Sequence, residues 1–223
     1  MILIFDLDDT LYDERTYVDS GLMAVAKYGL AYFGWEVESS YRFMQYVLEK
    51  KGRGHIFDLW LETHGRMSKK LVAECVRVYR HHTPDIKLSG SAAELLPSVA
   101  LEYPLYLVTD GHKIAQRKKV EALEIMPLFR RVLITHRFGL RHSKPSTYCF
   151  NLIRNAEKCG WNDLVYVGDN PAKDFVNIKR NGVHTIRLLA GQHSNDVARC
   201  GYEADFSIRD LSLIPELLQK LQV

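Results

Sequence analysis

The sequence predicts an α/β protein: a doubly wound parallel sheet, interrupted after its first strand by a block of helices. Two patterns carry that reading. Short apolar runs at residues 1–5, 105–108 and 164–167 have the length and continuous hydrophobicity of strands buried on both faces, and 131–135 and 184–188 read as further short strands. Polar stretches of helical periodicity separate most of them, and strands alternating with helices form parallel sheets covered on both faces. Together they describe a Rossmann-like core.

The elements follow in order. Residues 1–5 are apolar and end abruptly at Asp6, Asp8 and Asp9, as a buried strand does when its C-terminal end opens into a site. From Tyr17 to Tyr79 the texture changes. Leu22, Val25, Ala26, Leu30 and Phe33, then Tyr41, Met44, Val47 and Leu48, then Leu71, Cys75 and Val78 recur at helical spacing. This predicts an inserted helical domain of three to five helices, with breaks at Gly34 and at Lys51-Gly52-Arg53-Gly54. Its hinges are expected near residues 12–15 and 84–89, which leaves residues 1–14 and 86–223 as the core and 15–85 as the insertion. The core then continues with a strand ending at Thr109-Asp110-Gly111, a polar helix over 112–123 and a strand over 131–135. A helix over 147–158, a strand ending at Gly168-Asp169, a helix over 175–181 and a strand over 184–188 complete it.

Composition excludes several classes. The chain has 223 residues, 47% of them hydrophobic and 26% charged, which suits a globular core of ordinary size. Thirty basic residues against 27 acidic ones give +3, too mild and too scattered for nucleic acid or an anionic membrane. Cys75, Cys149, Cys159 and Cys200 form no CxxC pair, so reduced thiols and a cytoplasmic setting are expected. No apolar run reaches the roughly 18 residues a bilayer requires.

Chemistry concentrates at the strand ends. Ligands of open parallel sheets bind beyond the carboxyl ends of the strands. Here those ends carry Asp6 and Asp8, Thr109 and Asp110, and Asp169, while the strand over 131–135 leads on to Lys144-Pro145. Carboxylates crowded together repel unless a cation binds. Hard oxygen ligands without nearby His or Cys favour magnesium over zinc.

Asp6-Leu7-Asp8-Asp9-Thr10 after an apolar strand resembles the first signature of the haloacid dehalogenase superfamily. Thr109 matches its second, Lys144 its third, and Gly168-Asp169 through Asp174 its fourth. The four occur in order and span nearly the whole chain, and the helical insertion resembles the family's type 1 cap. The resemblance implies that Asp6 is a nucleophile forming an aspartyl-phosphate and that Asp8 is the general acid and base. It implies magnesium held by Asp6, the backbone carbonyl of Asp8 and Asp169, with Asp174 beside it. The Thr109 hydroxyl and the Asp110 backbone N–H would hold the phosphoryl group, and Lys144 would balance its charge. Asp9 is expected to shape or solvate the turn, and Thr10 to bond locally within it. Family dehalogenases lack the second carboxylate, because a halide leaves without a proton; retention of Asp8 favours phosphoester cleavage.

The segment from Thr109 through Gln116 to Lys118-Lys119 is similar to that of capped phosphatases acting on small metabolites. A sugar phosphate or a nucleoside monophosphate is therefore the expected partner, for a monomer or homodimer. In the cap, Arg42, Arg53, His55 and Arg66 are candidates to reach substrate, as are Tyr12, Arg15 and Tyr17 just beyond the first signature and His112 and Lys113 after the second, and His81-His82 is expected at the surface. A phosphomutase, or a non-catalytic phosphate-binding module on the same fold, would retain the same residues.

Overall fold

The computed structural model describes residues 1–221. Its centre is a six-stranded, all-parallel sheet in the order β3-β2-β1-β4-β5-β6. The strands are β1 (Ile2–Phe5), β2 (Leu105–Thr109), β3 (Arg131–Ile134), β4 (Leu164–Gly168), β5 (His184–Leu188) and β6 (Phe206–Ile208). The α/β expectation holds. β1, β2 and β4 have no exposed residue, as continuous apolar runs in a covered sheet require.

The chain leaves β1 in one direction through β2 and β3, then returns to β4 and continues to β6, so the strand order reverses beside β1. Right-handed crossovers of opposite sense place the connecting helices on opposite faces. One face shows this directly. Ile2, Ile4, Tyr106, Val108, Leu164 and Tyr166 pack with Cys149, Phe150 and Ile153 of a helix at Tyr148–Glu157 and with Ile178 of one at Val176–Arg180. In the same unit, a helix at Gly90–Glu102 packs on the turn at Leu211–Leu213, next to the C-terminal helix Ile214–Leu221. The sequence had not marked the Gly90–Glu102 helix, which carries Pro97 inside it, nor the three-residue β6. The helix buries Ala92, Leu95, Leu96 and Val99 at helical spacing behind a Ser89 N-cap, whereas β6 is held by its pairing with β5.

The chain divides into two compact units, residues 1–14 with 87–223, and residues 15–86. The second unit is helical. In chain order from the first residue, α1 (Glu14–Phe33), α2 (Val37–Lys51), α3 (Ile56–Thr63) and α4 (Lys69–His81) enclose Leu22, Val25, Met44, Val47, Trp60 and Cys75. α1 ends at Gly34 and α2 at Gly52, where the sequence marks breaks. Side-chain oxygens close two N-termini: Glu36 accepts from Glu38 and Ser39 N–H, and Ser68 from Leu71 N–H. Arg42 pairs with Glu38, Arg66 lies over the Phe33 ring, and Arg53–His55 forms an exposed 3-10 turn. His82 corrects the surface expectation. It is half-buried, with Nδ1 2.6 Å from the Tyr79 carbonyl and Nε2 3.1 Å from Ser20 Oγ, because its ring lies against those of Tyr17 and Tyr79. All four cysteines are free thiols. Among the described residues no helix is long and apolar enough to cross a membrane.

Gly29 sits where α1 meets the Trp60 indole. A Cβ there would lie 2.8 Å from two ring carbons, and Trp60 is fully buried with an edge-on contact to Trp35. Alanine at a helix interior ordinarily favours the helix by about 1 kcal/mol over glycine. Overpacking at this point, worth about 1–3 kcal/mol, outweighs that gain. Gly29→Ala is expected to lower Tm by about 2–5 °C in a thermal unfolding scan; an unchanged or raised Tm would show that Trp60 can retreat.

Candidate active site

The strand order places the C-terminal ends of β2, β1 and β4 side by side at the point where the topology reverses. Asp6 directly follows β1, its N–H donating to the Val167 carbonyl at 2.8 Å and so continuing the β1–β4 ladder one residue further. That bond fixes where its side chain emerges. Asp169 directly follows β4, and Asp174 comes back to it from the next turn. Asp6, Asp169 and Asp174 are all buried, with one carboxylate oxygen of each lying within 4.8 Å of the others. Asp174 Oδ2 accepts from Asn170 N–H at 2.9 Å, which holds the turn closed.

Lys144 reaches into this cluster. Its Nζ lies 2.8 Å from Asp6 Oδ2 and 2.7 Å from Asp174 Oδ1, and it donates to the Tyr166 hydroxyl at 2.9 Å. Tyr166 OH in turn donates to Asp174 Oδ1 at 3.3 Å. Burial opposes the charge on Lys144, but Asp174 and Asp6 outweigh it and hold the ammonium well above its usual range. The acids are not fully compensated. Burial, reinforced by Asp174 and opposed by Lys144, pushes Asp6 up to about 6. Burial, with the charges of Asp6 and Asp174, pushes Asp169 up to about 8. Among the described residues no ion pair reaches Asp169.

Asp8 belongs to a different set. Its Oδ1 accepts from Tyr12 OH at 2.6 Å and from Lys119 Nζ at 2.7 Å, and its Oδ2 from the Gln116 amide at 2.8 Å. Burial would raise this carboxyl, but the Lys119 charge and the three hydrogen bonds outweigh it and hold Asp8 below its usual range. Thr109, last in β2 and fully buried, accepts from the same Gln116 amide at 2.6 Å. The Asp110 carboxylate accepts from Thr135 Oγ1 at 2.6 Å and from Lys144 N–H at 3.1 Å, with Lys173 Nζ 3.5 Å away. The Asp110 carboxylate therefore anchors the end of β3 and the loop that carries Lys144.

Two turn residues differ in outcome. Asp9 sits at φ 53° with its carboxylate accepting from Glu14 N–H at 2.9 Å and Gln192 N–H at 3.1 Å, a turn-forming role in a buried setting. Thr10 bonds locally through its backbone: its N–H lies 3.4 Å from the Leu7 carbonyl, while its hydroxyl is buried without a hydrogen-bond partner among the described residues. Tyr166 was not anticipated, because a tyrosine inside an apolar strand run reads as core. Lys119 and Gln116 carried a faint signal as part of the segment after Thr109, but nothing in the sequence tied them to Asp8.

The donor set fits a magnesium ion. It offers clustered carboxylate oxygens and no softer ligand, and three buried acids facing one lysine ammonium leave uncompensated negative charge that a divalent cation would neutralise.

The model of the family described as "Haloacid dehalogenase-like hydrolase" matches residues 3–188. A glyceraldehyde 3-phosphate phosphatase from Methanocaldococcus jannaschii is 27% identical, covering 99% of this chain and 97% of that protein. A magnesium-bound putative HAD-hydrolase from Bacillus subtilis superposes with a TM-score of 0.70 at 18% identity, covering 100% of this chain and 98% of that one. A 2-haloacid dehalogenase from Pseudomonas syringae pv. Tomato superposes with a TM-score of 0.68 at 22% identity, covering 99% of each chain. The two structures establish the fold, and the family match spans most of the sheet together with the inserted helices. The chain is an enzyme, and it belongs to the haloacid dehalogenase-like hydrolase family.

Proposed function

We propose that this chain is a magnesium-dependent phosphatase that hydrolyses a small phosphomonoester through an aspartyl-phosphate on Asp6. The observation that carries the reading is the second carboxylate. Asp8 is present and held by partners of its own, apart from the acids around Lys144. A halide needs no proton to leave, whereas an alkoxide does. The curated relatives are glyceraldehyde 3-phosphate phosphatases, so short sugar phosphates are the first substrates to test, with nucleoside monophosphates next.

In this reading Asp6 attacks phosphorus in line, the bond from phosphorus to the ester oxygen breaks, and the departing oxygen takes a proton from Asp8. Two negative charges brought in with the phosphate favour the protonated form of Asp8 that this step needs. In the second half, water attacks phosphorus, gives its proton to Asp8, and the bond to Asp6 breaks with its electrons returning to the carboxylate. The Thr109 hydroxyl and the Asp110 N–H hold the phosphoryl oxygens, and Lys144 balances their charge. Asp6, Asp169 and the Asp8 backbone carbonyl would hold magnesium, with Asp174 beside them. Bound there, the ion would supply positive charge to offset the phosphoryl group and the Asp6 carboxylate. The helical unit, residues 15–86, serves as a cap that excludes water.

Asp6→Asn is nearly isosteric and is expected to cut phosphate release by roughly 10³-fold or more while leaving Tm within about 3 °C. Persistent turnover in a folded variant would remove Asp6 as the nucleophile. Asp169→Asn is expected to raise the magnesium concentration for half-maximal activity by on the order of tenfold or more. An unshifted magnesium titration would take Asp169 out of the ligand set.

A further inference from the structure

Asp8 has to give up a proton in one half-reaction and recover it in the next, so the position of its free lone pair matters as much as its charge. A carboxylate offers about four acceptor sites, two on each oxygen. Tyr12 OH and Lys119 Nζ occupy Oδ1, and the Gln116 amide occupies one site of Oδ2. One site on Oδ2 is left. Lys119 is 3% exposed, while the Asp8 side chain keeps 21% of its surface open, so the clamp is dry and the working edge is accessible.

Gln116 performs a second function. The two protons of its amide nitrogen go to Asp8 Oδ2 at 2.8 Å and to Thr109 Oγ1 at 2.6 Å. Having accepted that bond, Thr109 has its own proton to give. The Asp110 carbonyl oxygen stands 3.5 Å from the Thr109 hydroxyl, too far to retain that proton against a phosphoryl oxygen. One buried side chain thus orients both the group that holds phosphate and the group that moves the proton. The backbone makes room for it. Gly111, at φ 134°, has no Cβ, and one placed there would lie 3.0 Å from Gln116 Cδ.

We propose that Gln116 and Lys119, both on the helix Lys113–Ala122 that follows β2, are positioning residues for proton transfer at Asp8 Oδ2. The proposal rests on the phosphatase reading above. A buried lysine needs an acidic partner in any case, so the test has to separate positioning from mere charge pairing. p-Nitrophenyl phosphate does so. Nitrophenolate leaves as an anion with no proton from Asp8, whereas the water that then attacks phosphorus must still lose one to it.

Lys119→Met, followed by rapid mixing of the full-length enzyme with p-nitrophenyl phosphate and magnesium, is expected to release about one nitrophenolate per active site in a fast phase. Steady turnover then falls roughly 30-fold or more below wild type, as in Asp8→Asn. Turnover within about threefold of wild type, or a slow linear trace without the fast phase from a variant of unchanged Tm, would overturn the proposal. Gln116→Leu removes hydrogen bonds to both Asp8 and Thr109 and should slow the fast phase as well; wild-type behaviour there would overturn it even where Lys119→Met does not fold. Wild-type release by Asp6→Asn would instead sink the phosphatase reading, and this inference with it.

Discussion

The fold is organised around a shortage of positive charge. Asp6, Asp169 and Asp174 are buried at one edge of the sheet, and among the described residues Lys144 alone forms direct ion pairs with two of them. Removing a carboxylate from water costs several kcal/mol even after relaxation. An arrangement of this kind persists only where the surrounding structure imposes it, and here strand geometry does. The ladder bond from Asp6 to Val167 and the short turn between Asp169 and Asp174 leave the acids no freedom to separate. The residual strain appears as the rise of Asp6 to about 6 and of Asp169 to about 8. A divalent cation bound there would relieve it and so would couple metal binding to stability.

The same edge sorts two carboxylates, only two residues apart, into different electrostatic surroundings. Asp6 faces other acids and one shared lysine; Asp8 faces Lys119, Tyr12 and Gln116, and is held ionised. Pairs of acids whose environments push them apart are how a single fold assigns different roles to the same side chain. The separation depends on the chain leaving extended geometry straight after β1. In a continuing strand, residues two apart would point the same way. Asp9, at φ 53° and tied to two backbone N–H groups, holds that turn. Tyr166 and Asp110 do quieter work, one bridging Lys144 to Asp174 and the other fastening the Lys144 loop to the end of β3.

What the residues alone determined is what short-range pattern can encode. Continuous apolar runs ending in Asp6, Thr109 and Gly168 marked three central strands and their functional ends, because a doubly covered strand has to be apolar until it reaches solvent or a site. Helical periodicity and the glycines at 34 and 52 marked the inserted helices and their breaks. The tertiary structure decided which partner each acid acquires, since Lys119 lies 111 residues from Asp8 and Gln116 lies 108, and no local pattern specifies a contact at that range. It also decided the roles of groups whose local reading misleads: Tyr166 reads as core and His82 as surface. β6 escaped because a three-residue strand has a weak intrinsic signal and is held by its pairing with β5, whereas the Gly90–Glu102 helix was legible in the spacing of Ala92, Leu95, Leu96 and Val99 behind Ser89.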